Sequence, residues 1–198
     1  MKKGLLIILS GPSGVGKGTI RKVIMENKDL NLAYSISMTT RKPRNAEVDG
    51  VDYYFVTPEE FQKNIDNDNF LEWAEFVGNR YGTPKDKEEK MRAEGKNVFL
   101  EIEINGAKQV MDKIKKSHDE GVITFFLMPP SLQALEDRIR KRKSESDEVI
   151  KERLEKGKKE MGMSANYDHV ILNDKVSRAA DEMSKLIFKK MKEYNKAN

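Results

Sequence analysis

The chain has 198 residues, 37% hydrophobic and 35% charged, which is enough apolar material for one real core and describes a soluble globular protein. Its 37 Lys plus Arg against 33 Asp plus Glu leave a net charge of +4, which suits an enzyme of anionic small molecules and lacks the concentrated basic stripe of a nucleic-acid binder. Cysteine is absent, which excludes disulfides and thiolate metal sites and fits a reducing cytoplasm.

Met1-Lys2-Lys3 followed by Gly4 to Leu9 imitates the start of a secretory signal, but a signal core needs about 7 to 15 apolar residues and this run is shorter. No stretch approaches membrane-spanning length, so a cytoplasmic location is expected. Leu5 to Leu9 instead reads as a buried strand running into Gly11-Pro12-Ser13-Gly14-Val15-Gly16-Lys17-Gly18-Thr19. Strand, glycine-rich turn, lysine and helix start together form a phosphate-binding loop, in which backbone N–H groups and the positive helix end face one anion and Lys17 adds a point charge. The general pattern places Ser or Thr directly after the lysine; here Gly18 stands there and Thr19 follows. A glycine-rich turn without function is the competing reading, and the correct flanks weigh against it.

A first helix is expected from about Lys17 to Asn27, and Ala33 to Ser37 reads as a short strand. Thr39-Thr40-Arg41-Lys42-Pro43-Arg44 is then either a solvated loop or a phosphate clamp, two guanidinium groups beside hydroxyls favouring the clamp. Val51 to Val56 reads as a strand, and Thr57-Pro58-Glu59-Glu60 as a capped helix start. Phe70 to Val77 alternates, so Phe70, Glu72, Ala74 and Phe76 share one face and Glu72 sits among apolar neighbours. Gly78-Asn79 is expected to turn, and Thr83-Pro84 to open a helix that Gly95 closes.

Val98 to Ile104 reads as a strand with Glu101 and Glu103 on one face. Inside a parallel sheet these carboxylates would lie at the ligand crevice beyond the strand ends; at an edge they would only be solvated. Val122 to Met128 is another apolar strand, stopped by Pro129-Pro130. Ser131 opens a helix carrying Arg138 and Arg142 four residues apart. Lys143 to Asp147 is polar, a charged helix carries Arg153, and Val170 to Leu172 is a last strand before an amphipathic packing helix. His118 and His169 lack metal-ligand spacing and read as structural.

Strands and helices thus alternate, with two polar excursions at about residues 37–92 and 130–155. Gly11 to Thr19, Ser37 to Arg44, Gly50 to Phe55, Phe70 to Trp73, Tyr81-Gly82-Thr83, Leu100 to Gly106 and Tyr167-Asp168 with Asn173-Asp174 together resemble the guanylate kinases, across nearly the whole chain. The resemblance implies an α/β fold: a P-loop parallel sheet covered by helices (residues 4–36, 93–129 and 156–198), a GMP-binding insertion of mixed strands and helices (37–92) and a mobile helical lid (130–155), one domain over about 4–185. It implies transfer of the γ-phosphoryl group of ATP to GMP, and to dGMP, with Mg²⁺ as cofactor and with no nucleic acid, membrane or obligate protein partner.

By the same resemblance, the loop from Gly11 to Thr19 binds ATP; Arg41, Arg44, Tyr53 and Tyr81 hold the GMP phosphate; and Ser37, Glu72, Thr83 and Glu103 surround guanine, with Glu101 counted among the substrate residues. Lys17, Arg41, Arg138, Arg142 and Arg153 are the implied catalytic cations, and Thr19 is the candidate protein ligand of Mg²⁺. The chemistry agrees: guanine presents donors at N1 and its 2-amino group, which one carboxylate can accept, whereas adenine presents an acceptor at N1. The chain departs from the family's commonest pattern in Glu101-Ile102-Glu103 for Asp-x-Asp, Asn105 for glutamine and Lys143 for glycine. A guanylate-kinase-like scaffold module would show a poorer phosphate loop than this one. A regulatory GTPase would carry Asn-Lys-x-Asp, to which Asn173-Asp174-Lys175 comes nearest.

Overall fold

The fold is built outward from an apolar strand that has no polar face. In the computed structural model, which describes residues 2–76, 78–141 and 146–197, β1 (Leu6–Ser10) is buried along its whole length. It lies at the centre of a five-stranded parallel sheet with β2 (Leu32–Tyr34), β7 (Asn97–Glu101), β8 (Val122–Met128) and β9 (His169–Leu172), in the order β2-β7-β1-β8-β9. Alternation divides the apolar side chains between two faces. Leu6 and Ile8 join Val98, Leu100 and Phe126 on one side, while Ile7 and Leu9 join Ile20, Phe99, Phe125 and Leu127 on the other. Each such side chain taken out of water contributes about 1.5–3 kcal/mol, so the central strands carry much of the stabilisation.

Helices close both faces. α1 (Lys17–Met25) and α7 (Val176–Ala197) cover one face, where Ile20, Ile24, Ala179, Met183 and Ile187 are buried. α4 (Ile104–Ser117) covers the other with Ile104, Ala107 and Val110. Beyond β8 come α5 (Leu132–Arg140) and α6 (Asp147–Met161), each opened by a serine whose hydroxyl accepts a backbone N–H, Ser131 from Ala134 and Ser146 from Val149. Among the described residues no helix is long and apolar enough to cross a membrane.

A second, four-stranded sheet interrupts the first, in the order β4-β3-β6-β5: β3 (Met38–Thr39), β4 (Tyr54–Phe55), β5 (Phe70–Phe76) and β6 (Asn79–Pro84). α2 (Pro58–Asp66) begins at Thr57, whose hydroxyl accepts the Glu60 N–H at 3.2 Å. Its Phe61 stacks on Phe70 with centroids 4.5 Å apart.

Several sequence expectations are corrected here. The helix expected to open at Thr83-Pro84 and close at Gly95 is α3 (Lys85–Ala93), with Pro84 as its extended N-cap and Gly95 at φ +79° just past its end; what the sequence did not mark is that the residues after the Gly78 turn form β6. β6 is a strand because it pairs with β5, and its Tyr81 and Gly82 also complete the pairing of β3. The strand expected through Ile104 stops at Glu101: Glu103 is the N-cap of α4, a helix the alternating pattern hid. The expected strand over 33–37 is shorter, and that over 51–56 shrinks to Tyr54–Phe55. β7 lies between β2 and β1, so the edge-strand reading of Glu101 and Glu103 is wrong. Val77, Arg142 and Lys143 fall outside the described residues.

His118 closes α4 in the left-handed region (φ 56°), its Nδ1 2.9 Å from the Lys115 carbonyl, and His169 packs on Phe125.

Candidate active site

The carboxyl end of β1 turns into the phosphate loop because glycines permit it. Gly11 has φ +148°, and a Cβ there would lie 2.5 Å from the Leu127 carbonyl oxygen on the neighbouring strand. Gly16 has φ +103° and is the N-cap of α1, with no side chain capping the helix start; the Thr19 N–H turns back to the Gly16 carbonyl at 3.1 Å, and the positive end of the helix suits an anion. Lys17 curls back over this turn, its Nζ donating to the carbonyls of Gly11 (2.7 Å) and Pro12 (3.2 Å).

Two arginines brace the loop from outside. Arg138 of α5 donates from Nη1 to the Val15 carbonyl (2.9 Å) and from Nη2 to the Asn173 carbonyl (2.7 Å). Arg153 of α6 donates from Nη2 to Ser13 Oγ at 2.6 Å. The structure thus brings Lys17, Arg138 and Arg153 to one loop; Arg142 lies outside the described residues. Two further residues at this loop had no role from sequence. Asn173, just past β9, is buried and donates from Nδ2 to the Val15 carbonyl at 2.8 Å, while its Oδ1 has no partner. The signal for it was positional, since parallel sheets build sites where strands end. Glu160 of α6 is the other: burial pushes its carboxyl pKa up, with the Lys156 and Lys17 ammonium groups pulling the other way.

Glu101, at the end of β7, stands on the phosphate-loop side. It pairs with Arg21 of α1 at 3.1 Å, and a Cβ at Gly18 would lie 3.7 Å from its Oε1. Burial raises its pKa, opposed by Arg21 and Lys17. Arg21 also lies over the Tyr34 ring, 4.1 Å from its centroid, and burial pushes the Tyr34 phenol up to about 12. Thr19 is exposed on the first turn of α1.

The second sheet carries the remaining candidates. Glu72 of β5 pairs in register with Thr83 of β6, and the Thr83 hydroxyl donates to Glu72 Oε1 at 2.6 Å. Glu72 is 7% exposed and Thr83 1%, so this is a buried carboxylate with one oxygen already held. Gly106 lets α4 approach: a Cβ there would lie 2.5 Å from Glu72 Oε2. Burial raises the Glu72 pKa, the Thr83 hydroxyl opposes the rise, and the Glu103 carboxylate adds to it. Glu103 itself is exposed at the start of α4.

Tyr53 and Tyr81 meet edge to face with centroids 6.1 Å apart, and Arg41 lies over Tyr53 at 5.3 Å. Ser37 sits between β2 and β3, its carbonyl accepting the Tyr54 N–H at 2.9 Å. The Arg44 side chain is exposed. Two clusters therefore stand at the same end of the fold: a cationic cradle at a helix start, and a buried carboxylate with arginine and phenols nearby. A cavity of about 640 Å³ opens instead near the amino ends of the strands, lined by Lys3, Glu88, Arg92 and Asp119 among others. Its buried charges are engaged in structure, Arg92 pairing with Asp119 at 2.7 Å and Glu88 at 3.3 Å and donating to the Gly4 carbonyl.

The comparisons with known proteins place the whole chain. A family model described as guanylate kinase matches residues 3–190. A guanylate kinase from Bacillus cereus is 54% identical over 186 residues, covering 94% of this chain and 88% of the relative. One from Malacoplasma penetrans is 48% identical over 192 residues, covering 97% and 96%. The crystal structure of guanylate kinase from Anaplasma phagocytophilum superposes with a TM-score of 0.72 at 32% identity, covering 94% of this chain and 86% of that one. With a match of that length and a parallel sheet headed by a phosphate loop, the chain belongs to the guanylate kinase family of nucleoside-monophosphate kinases.

Proposed function

We propose that this chain transfers the γ-phosphoryl group of ATP to GMP, and to dGMP, in a Mg²⁺-dependent reaction that yields ADP and the guanosine diphosphate. The observation that carries the choice of acceptor is the buried Glu72 with Thr83 bonded to one of its oxygens. A buried carboxylate can accept from guanine N1–H and the 2-amino group, and adenine would set a lone pair against it, a mismatch that costs orders of magnitude in kcat/KM. Ser37, Thr83 and Glu103 complete the guanine contacts in this reading.

The acceptor phosphate is already ionised at neutral pH, so the reaction needs no general base to make a nucleophile. What it needs is two anions held in line. Arg41, Arg44, Tyr53 and Tyr81 hold the acceptor phosphate. The loop from Gly11 to Thr19 holds the donor, Lys17 exchanging the Gly11 and Pro12 carbonyls for phosphate oxygens. Arg138, Arg142 and Arg153 stabilise charge on the transferring group, and residues 130–155 act as the lid over a GMP-binding insertion at 37–92. The oxygen donors at the helix start, the Thr19 hydroxyl and the Glu101 carboxylate facing Gly18, suit a hard cation held directly or through water. When bound with ATP, Mg²⁺ neutralises the phosphates and orients the leaving group.

The test is purified protein with Mg²⁺-ATP and each nucleoside monophosphate in turn, following ADP release. GMP should be used at least about a hundredfold better than AMP or UMP in kcat/KM, an order-of-magnitude expectation for a buried hydrogen-bond mismatch. Equal rates with AMP and GMP would remove the guanine assignment.

A further inference from the structure

Arg41 is not a freely moving side chain waiting for a phosphate. Its Nη1 donates to the Lys42 carbonyl (2.9 Å) and to Glu47 Oε2 (2.9 Å), and its Nη2 donates to Glu47 Oε1 (2.9 Å). Glu47 therefore grips the end of the guanidinium with both oxygens. A guanidinium has five N–H groups, and an end-on grip spares the side edge, Nε–H with the second Nη2 hydrogen, for the neighbouring Tyr81 hydroxyl and for another anion. The bonds that fix the end of the group also fix the direction of that edge.

Glu47 is itself held in place. Its Oε2 also accepts the Arg44 N–H at 2.7 Å, and its own N–H donates to the Arg44 carbonyl at 3.1 Å. Ala46, between them, adopts φ +72°, a left-handed conformation uncommon for alanine that folds the chain back at this point. The Arg41 side chain holds the Glu47 pKa below the usual carboxylate range, with the Arg44 N–H contributing next, so Glu47 stays an anion through neutral pH. On the opposite side of the balance, Glu47 and then the Tyr81 hydroxyl raise the Arg41 pKa.

We infer that Glu47 is a positioning residue for the acceptor phosphate, clamping the end of Arg41 so that its side edge is presented ready-made to that phosphate. Glu47 does not touch the nucleotide in this arrangement and does not compete with it. The inference rests on the assignment of Arg41 to the acceptor phosphate, and an uncharged residue at 47 would leave the arginine to search many rotamers before binding.

The experiment compares wild type, Glu47→Gln and Arg41→Met by calorimetric titration with GMP and with guanosine, and by steady-state kinetics. In Glu47→Gln, GMP affinity should fall about tenfold or more, the effect of weakening one charge-assisted contact, while guanosine affinity is unchanged. KM for GMP should rise by the same factor, with kcat within about threefold of wild type and KM for ATP unmoved. A merely structural role would weaken guanosine and GMP together, and that result overturns the inference. So does GMP affinity that stays constant or tightens in Glu47→Gln while Arg41→Met weakens it, which would make Glu47 idle or a competitor of the phosphate. If Arg41→Met itself leaves the preference for GMP over guanosine intact, it is the assignment of Arg41 to the phosphate that fails.

Discussion

Replacing Glu72 by glutamine separates recognition from stability in a single side chain. The Thr83 hydroxyl can still donate to the amide oxygen, so the β5–β6 contact at 2.6 Å survives. The other half of the group changes from an acceptor to an NH₂ donor facing the donors of guanine. Losing charge-assisted acceptor contacts costs about 1.5–3 kcal/mol for each, and two such contacts amount to roughly 3 kcal/mol or more. That corresponds to a fall of at least about a hundredfold in kcat/KM for GMP, with KM for ATP unchanged.

Stability should move the other way. Glu72 is 7% exposed, and its pKa is raised in the folded chain chiefly by burial. A carboxyl with a raised folded pKa adds no penalty below its unfolded value, about 4.3, where both states are protonated, and adds its full penalty once pH exceeds the folded value. Glu72→Gln should therefore be the more stable protein near neutral pH, by on the order of 1 kcal/mol. For a chain of this size that is a rise of about 2–4 °C in Tm. The difference should shrink as pH drops toward about 4, where the carboxyl is protonated in both states. Thermal unfolding across a pH series beside GMP and ATP kinetics tests both halves. Glu72→Gln with wild-type kcat/KM for GMP would refute the recognition argument; a lower Tm at neutral pH would refute the burial argument.

Gly106→Ala inserts a methyl group 2.5 Å from Glu72 Oε2, so the carboxylate must shift. KM for GMP should rise about tenfold or more with nucleotide binding at the phosphate loop intact, as measured by titration with GMP and ATP separately. Ala46→Gly relieves a left-handed alanine at φ +72°, worth about 1 kcal/mol, less the greater flexibility that glycine gives the unfolded chain. Its midpoint in urea should move upward by a few tenths molar, and a clear decrease would show that the turn holds no strain.

Much of the frame around the phosphate loop was legible before any coordinates. The phosphate loop declared itself through Gly11, Gly16 and Lys17 between a fully apolar strand and an amphipathic helix, because close approach of backbone to phosphate needs glycine and leaves few other uses for that spacing. Glu72 stood out as a carboxylate on an apolar face, and it is buried. Where the reading failed, contacts distant in sequence decided the matter. β6 carries no strong local strand signal ahead of the helix start at Thr83-Pro84, yet its pairing with both β3 and β5 makes it a strand. The period-two pattern from Val98 runs past the strand into Ile102 and Ile104, so it masked the start of α4, whose Ile104, Ala107 and Val110 bury at helical spacing.

The residues that act through others were the least legible. Nothing local marks Glu47 as the partner of both Arg41 and the Arg44 N–H, since a glutamate in a polar loop is ordinarily solvated. Asn173 and Arg138 meet the Val15 carbonyl from segments far along the chain. The sequence by itself determined the phosphate loop, because close approach of backbone to an anion demands glycines and a lysine at fixed spacing, and it marked Glu72 as a carboxylate on an apolar face. Only the tertiary structure decided how those residues are held and aimed, because hydrogen bonds and burial depend on neighbours that the order of the chain does not name.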